Sequence, residues 1–525
     1  MIEDRDDDSP SEVELKLTGD PAALKALREA GALTGTSGRL VTHRLESVYY
    51  DTPDHRLHRR KLAFRVRRKG RRFIQTLKDE GDGMLRRGEW EAPVASLDPD
   101  LDALPAPEPR HRVGLMFPGE LNPVFASRIR RSSRVLKRSD GNGHEDEIEI
   151  AFDDGIVVAD DRSEPVAELE LELLHGSPKA LYDLALELTD LVPLKFETRS
   201  KSARGYALAG AAPEWRKAVP LVLDRAATGA DVLEAIVRNC MSHWLANEAA
   251  ALDGSEPEGV HQMRVGLRRL RSALSLLAKA IPAEQLSWLQ GETRWIAGSL
   301  GPARDWDVFL ASLLPPVAAA RPDDSSLPAL RSAAEAMRAS AYDHVNAAIA
   351  TPRYTRFVLS LGAWLEGEGW RDGATGKAAK WQAKSVVELA DHVLGRQHRK
   401  VLKLGDDFAR LPTEQRHRVR IALKKLRYAA EFFRGLYPKR RALRYGTALA
   451  GLQDSIGHLN DVAVAARLMD ELNAELPAGA DPALLARGAG TVIGWHEHGV
   501  TTLEPRLVAD WDAFAATRPF WHQGG

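Results

Sequence analysis

Glu12-Val-Glu14-Leu-Lys16 sets three charged side chains on one side of an extended segment and Val13, Leu15 and Leu17 on the other. The same alternation recurs in Arg65-Val-Arg67, Thr76-Leu-Lys78, Arg87-Gly-Glu89-Trp-Glu91 and Glu168-Leu-Glu170-Leu-Glu172-Leu. For any one of these strands, an antiparallel sheet with a wet face is the ordinary explanation. Two features of the set point elsewhere. Several strands carry one sign only, although like charges side by side repel. Acid-rich and base-rich strands also occur together. If the sheet closes into a barrel, alternate residues point inward. The interior then collects carboxylates for a hard cation beside guanidinium and ammonium groups for phosphate oxygens. A triphosphate, with roughly four negative charges, needs several cations around it in such a low-dielectric cavity.

A second arrangement of cations stands further along. No acid occurs between His261 and Ala283, but four arginines and a lysine do. His261, Arg264, Arg268 and Arg271 fall at i, i+3, i+7 and i+10, one face of a helix, while Met263, Leu267, Leu270, Leu274 and Leu277 form a separate apolar stripe. His417, Arg420, Lys424 and Arg427 repeat the basic face against Val419, Leu423, Leu426, Ala430 and Phe433. Arg269 and Lys425 add further charge. A solvated basic face explains one such helix taken alone. The face lacks the interspersed acids that usually relieve repulsion at i, i+4, and it occurs twice with histidine at the same place, which favours an anion-binding surface. The two histidines read either as imidazoles satisfied in a core or as phosphate donors, and their repetition beside arginine favours donors.

The elements that must position these groups change character midway. At 525 residues the chain exceeds the ~250–300 at which single cores stop growing. Hydrophobic residues at 44% and charged residues at 28% are ordinary for globular domains, and the net charge of −1 hides local sorting of charge. Residues 1–11 read as a disordered acidic tail. From Glu12 to about Ala212 the period is mostly two, in Glu12–Leu17, Leu62–Arg68, Phe73–Lys78 and Val166–Leu174. Helices near Pro21–Ala30 and Pro178–Leu191 interrupt it, each opened by a proline. Residues 211–228, with Pro213 and Pro220, read as a linker, and from Gly229 the period is helical. His261–Pro282 matches His417–Pro438 at an offset of 156, which also carries Ser299, Gly301 and Asp305 onto Ser455, Gly457 and Asp461. Register kept without a gap from 261–308 to 417–464 indicates duplication. The single cysteine, Cys240, excludes an intramolecular disulfide framework. An N-terminus without an apolar stretch and the lack of any run of ~20 apolar residues lead to the expectation of a cytoplasmic protein.

Glu12-x-Glu14-x-Lys16 at a domain start resembles the signature of the CYTH, or triphosphate tunnel, family. Tyr49-Tyr-Asp-Thr52, Leu62-Ala-Phe-Arg65-Val-Arg67, Gln75-Thr-Leu-Lys78, the triple-glutamate strand and Ser200-Lys-Ser-Ala-Arg-Gly-Tyr206 follow in order. The resemblance covers residues 12–210. It implies an antiparallel β-barrel tunnel with flanking helices and hydrolysis of a terminal phosphate with Mg²⁺ or Mn²⁺, or in one branch cyclisation of ATP. By the resemblance, Glu12, Glu14, Glu168, Glu170 and Glu172 hold the metal. Glu12, Glu14, Lys16 and Lys78 are catalytic, while Arg65, Arg67, Arg87, Arg131 and Lys201 line the phosphate path. Arg128, Arg130, Arg131 and Arg134 crowd one strand, so which of them faces inward is not legible. Asp153 reads either as a further acid of the site or as part of a strand-end turn, Asp153-Asp-Gly155.

Residues 229–522 resemble the CHAD family, helical proteins associated with polyphosphate. The resemblance rests on Glu258-Gly-Val-His-Gln-Met-Arg264 with Arg-Arg-Leu-Arg271, on Leu300-Gly-Pro-Ala-Arg-Asp305, on Arg427-Tyr428 and on Leu452-Gln-Asp-Ser-Ile-Gly-His-Leu-Asn-Asp461. It implies an all-α domain of two duplicated four-helix bundles, with His261, Arg264, Arg268, Arg271, His417, Arg420, Lys424 and Arg427 binding polyphosphate. Asp305 and Asp461 read as structural, pairing with arginines or capping helices. The fold class is therefore α+β and multidomain. The domain order resembles bacterial inorganic triphosphatases, so triphosphate and polyphosphate, including polyphosphate granules, are the expected partners. Basic helices without interleaved aromatics argue against nucleic acid. Alternatives are a triphosphatase acting on thiamine triphosphate or nucleotides, an adenylate cyclase, or a non-catalytic polyphosphate-binding protein.

Overall fold

The computed structural model describes residues 11–29, 36–79, 86–104, 121–139, 145–477 and 479–521; nearly all of the acidic tail expected at residues 1–11 lies outside them. The chain forms two compact units, Met1–Glu214 with Ile349–Gly369, and Trp215–Ala348 with Trp370–Gly525. Among the described residues, no helix is long and apolar enough to cross a membrane.

The first unit is built on strands β1 (Ser11–Gly19), β2 (Thr36–Asp51), β3 (Leu62–Lys69), β4 (Arg72–Asp79), β5 (Arg86–Val94), β6 (Asn122–Ser139), β7 (Glu145–Ala159), β8 (Arg162–His175) and β9 (Leu194–Phe196). They form one sheet in the order β5-β4-β3-β2-β6-β7-β8-β1-β9, and β5 also pairs with β1. That last pairing, Ser11–Val13 against Arg86–Gly88, closes eight strands into an antiparallel barrel. Closure removes the free edges that a long sheet would expose.

The registers sort the alternating side chains into two faces. Leu15, Leu17, Ile148, Ile150, Leu169 and Leu171 point outward into a core with helices α1 (Pro21–Glu29) and α2 (Pro178–Leu191). Phe64, Val66, Leu77 and Trp90 do the same on the opposite wall. The usual barrel is inverted here, since apolar side chains face out under helices and polar ones face in. Helix α2 starts where Ser177 accepts a hydrogen bond from the Lys179 amide and Pro178 fills the first turn. Helix α3 (Lys201–Leu208) is capped by Ser200, which accepts from the Ala203 amide. It seats Tyr206 among Leu45, Phe125, Ile129, Val157 and Val166, closing part of the barrel with apolar side chains.

The second unit is helical. Helix α4 (Pro257–Leu276) buries Val260, Met263, Leu267, Leu270 and Leu274 completely. Gly266 lets it press on helix Gly229–Leu245, because a Cβ there would stand 2.8 Å from the Trp244 amide nitrogen. One helix of the C-terminal half packs in the first unit instead: α5 (Pro352–Glu366) lies on α2, with Leu359 and Ala363 in the core that α2 shares with β1, β7 and β8. The Phe196 amide of β9 donates to Thr355 Oγ1 at 3.2 Å. Helix α6 (Thr413–Phe433) packs against α4 and against α7 (Lys439–Ala474).

Candidate functional site

Strand pairing carries one face continuously around the barrel. Lys16 stands against Glu170 and Glu14 against Glu172. Glu168 stands against Asp153, and Asp153 against Arg131. Ser127 and Phe125 meet Ser47 and Tyr49, which meet Arg67 and Arg65. Arg65 meets Thr76, and Ala63 meets Lys78; Lys78 meets Glu89. Arg67 also feels Glu170 and Arg131, which lie on strands that do not pair with its own. Such cross-talk requires the face to line the inside of the cylinder. The backbone of Glu12 pairs with that of Arg87, and the side chains of both lie outside the described residues.

Asp153, Glu168 and Glu170 each bring one carboxylate oxygen within 4.8 Å of the others, all three residues buried. Lys201 of α3 enters among them, its Nζ 2.7 Å from Asp153 Oδ2 and 2.8 Å from Glu170 Oε1, and in contact with Glu168. Arg131 donates from Nε to Asp153 Oδ1 at 2.7 Å and from Nη2 to Oδ2 at 2.6 Å, with a further bond to Glu170. Lys16 reaches Glu14 at 2.9 Å and Glu170 at 3.7 Å. Burial alone would raise the Glu170 carboxyl, but Arg131, Lys201 and Lys16 hold it well below the usual carboxylate range. Asp153 behaves likewise, its burial and the neighbouring Glu170 outweighed by Lys201 and Arg131. Asp153 and Glu170 are thus held ionised, interleaved with Lys201, Arg131 and Lys16. Glu14 and Glu172 face each other one step along the same face, outside that trio.

On the opposite wall, Lys78 Nζ lies 2.6 Å from Glu89 and an Arg65 nitrogen 3.6 Å from it. Arg67 Nε donates to Ser47 Oγ at 3.2 Å. Desolvation, and then Arg65 beside it, lower the Arg67 guanidinium to about 10. Against the burial that would raise it, the Tyr49 phenol is pulled below its ordinary value by Arg65 and Arg67. Cations in mutual repulsion along one wall are what an incoming polyanion relieves.

Asp153 is 2% exposed and sits within β7, not at a turn. Its partner across the pair, Arg131, takes the inward place, while Arg128 and Arg130 are exposed. Tyr49 and Glu89 were not singled out as site residues from sequence. The period-two pattern of their strands, once the inward face is known, is the signal that identifies them.

In the helical unit α4 carries His261, Arg264, Arg268 and Arg271, and α6 carries His417, Arg420, Lys424 and Arg427. Arg268 and Arg420 have buried Nε atoms with no hydrogen-bond partner among the described residues. Arg420 feels the charge of Arg268, and Lys424 feels both. Half-buried like charges set this close are relieved when an anion joins them. Arg264 donates to the Ala297 carbonyl at 3.1 Å, and burial, then Arg268 and Arg304, lower it to about 10 against the pull of Asp305. Burial and Arg304 push His261 down to about 4, so it is neutral near pH 7. His417 is exposed. Arg427 is held by Glu431 at 2.9 Å and Gln453 at 3.2 Å, and Asp305 pairs with Arg467 at 2.6 Å. The two copies are therefore not equivalent: Arg264, Arg268, Arg420 and Lys424 form the cluster, with Arg271 exposed and Arg427 drawn to Glu431.

Known proteins match both parts. Residues 10–206 match the CYTH domain and residues 235–470 the CHAD domain. An inorganic triphosphatase of Haemophilus influenzae is 28% identical over 173 residues, 31% of this chain and 46% of that protein. An uncharacterised protein of Mycobacterium tuberculosis is 28% identical over 286 residues, 51% of this chain and 52% of that one. The chain thus spans about half the length of the curated relatives it matches. The solved CHAD domain from the plant Ricinus communis is 34% identical, covers 58% of this chain and 98% of that one, and superposes with a TM-score of 0.50. The chain belongs to the CHAD family, with a CYTH domain preceding the helical domain that defines it.

Proposed function

We propose that the barrel hydrolyses the terminal phosphate of inorganic triphosphate, giving pyrophosphate and phosphate, with Mg²⁺ or Mn²⁺, and that the helical unit binds polyphosphate. The observation that carries this reading is the trio Asp153, Glu168 and Glu170, packed against Lys201, Arg131 and Lys16 inside a closed barrel. Similarity to a protein named an inorganic triphosphatase supports it. The donor set fits a hard divalent cation, being three carboxyl groups without sulfur or imidazole. Glu14 and Glu172, with Glu12 beside them in sequence, extend the acidic supply. A cation held there would neutralise phosphate charge and orient the attacking water.

The chain's own groups do the rest. Arg65, Arg67 and Lys78 bind the phosphate oxygens from the opposite wall and fix the chain for in-line displacement. Lys201 and Arg131 keep the carboxylates ionised and are placed to share charge developing on the departing pyrophosphate. In the helical unit the half-buried Arg268 and Arg420 would take the anionic oxygens of a longer chain. Such a protein would work in the cytoplasm, where polyphosphate granules are a natural place for it.

The test is phosphate release from triphosphate, ATP, thiamine triphosphate and longer polyphosphate with Mg²⁺ or Mn²⁺. Triphosphate is expected to be turned over best, with release lost without the metal. Glu170→Gln is expected to lower kcat/KM at least about a hundredfold. Turnover favouring ATP or thiamine triphosphate moves the substrate, and binding without any turnover leaves a polyphosphate-binding protein.

A further inference from the structure

We propose that polyphosphate binding by the helical unit is proton-linked through Lys424, so that the protein grips the polyanion more tightly as the pH falls from alkaline towards neutral. The proposal rests on the polyphosphate-binding reading and adds a control to it. The repeat sets Arg264 against Arg420 and Arg271 against Arg427, but Arg268 against Lys424 and Arg269 against Lys425. Where the first copy holds a guanidinium, which keeps its proton at any physiological pH, the second holds an amine, which need not.

The surroundings decide which amine matters. Lys424 is half-buried on α6, which packs against α4, and feels Arg268 and Arg264 of α4, Arg420 one turn earlier on its own helix, and Asp461 of α7 as an opposing acid. Burial, then Arg268 and Arg420, lower its ammonium to about 7. Lys425 turns elsewhere, donating to Ser275 Oγ at 3.0 Å and feeling Lys400 of helix Val386–Leu404 and Arg271. His261, which also lies beside these arginines, is already neutral near pH 7; Asp305 faces Arg264, and the Tyr428 phenol beside Arg268 is raised by burial. Arg268 and Arg420 are half-buried like Lys424, so an anion lying against the amine would meet them as well.

The sign follows from linkage. An anion lying among these cations turns repulsion on the Lys424 ammonium into attraction, so the bound state holds its proton more strongly than the free state. Binding near or above pH 7 therefore takes up a proton, and affinity falls by up to about tenfold per pH unit above the free value. Below it the dependence fades.

Full-length protein is titrated calorimetrically with long-chain polyphosphate, whose few ends contribute little titration of their own. EDTA withholds the cation needed for turnover, and buffers of different ionisation heat report the protons. The expected result is uptake approaching one proton at about pH 8 and little at about pH 6, with affinity about tenfold weaker at the higher pH. Lys424→Arg is expected to bind without the uptake, and Lys424→Gln to bind weakly at both pH values. Uptake undiminished in Lys424→Arg, or lost in His261→Gln instead, overturns the linkage. Failure of the wild type to bind polyphosphate at either pH overturns the binding reading itself.

Discussion

Tyr49 lies on the inward face of β2, 3% exposed, with its ring stacked on Phe125 at a centroid distance of 4.5 Å and its hydroxyl bonded to Arg65. The phenol keeps Arg65 in place, and Arg65 in turn lowers the phenol, so the pair acts as one unit on the tunnel wall. Phenylalanine there preserves the stack and removes only the oxygen. Tyr49→Phe is therefore expected to leave the thermal midpoint near that of the wild type while raising the KM for triphosphate roughly threefold to tenfold, since a bond to a charged partner contributes about 1.5 kcal/mol. Steady-state kinetics check it; an unchanged KM would remove Tyr49 from the site. Such residues show how far single positions can be read. Glu168 and Glu170 announce themselves because like charges at period two have no business on a wet strand. Asp153 does not, because Asp153-Asp-Gly155 spells a turn equally well, and only the pairing of β7 with β6 and β8 turns it inward. Arg131 is hidden by the three other arginines of its strand.

At the scale of elements, period two against period 3.6 separates strands from helices well, and Pro21 and Pro178 mark where helices begin. Membership is another matter. The α5 helix has the same period as its neighbours in sequence, yet its apolar stripe fits α2 of the first unit: a Cβ on Gly362 would lie 2.1 Å from the Tyr182 ring, and Leu359 is fully buried. Nothing in a local pattern tells which apolar surface a stripe will meet, since burial is non-directional. Contact this close has a measurable consequence. Leu359→Ala removes buried methyl groups and leaves a cavity, so it is expected to cost about 2–5 kcal/mol. The loss should appear in the unfolding of the barrel unit, followed by the fluorescence of Trp90 on its wall against far-ultraviolet circular dichroism. Gly362→Leu, which must displace Tyr182, is expected to be worse.

For the whole molecule, the net charge of −1 conceals a barrel of interleaved charges and a helical unit whose cations face one another. On the proposed reading the two units recognise different lengths of the same chemistry, so each should be protected by its own ligand. Binding to the folded state alone stabilises by about 2.7 kcal/mol at a hundred times Kd, a shift of roughly 5–10 °C for a unit of this size. Differential scanning calorimetry of the intact chain is expected to resolve two transitions. A non-hydrolysable triphosphate analogue with Mg²⁺ should raise one of them, and long-chain polyphosphate in EDTA the other. Leu359→Ala then makes the experiment discriminating. Although residue 359 lies between the two basic helices in sequence, the substitution should lower the transition that triphosphate protects and leave the polyphosphate-protected one in place. A shift confined to the polyphosphate-protected transition would mean that residues 349–369 stabilise the helical unit instead, and the division of the chain into units would have to be redrawn.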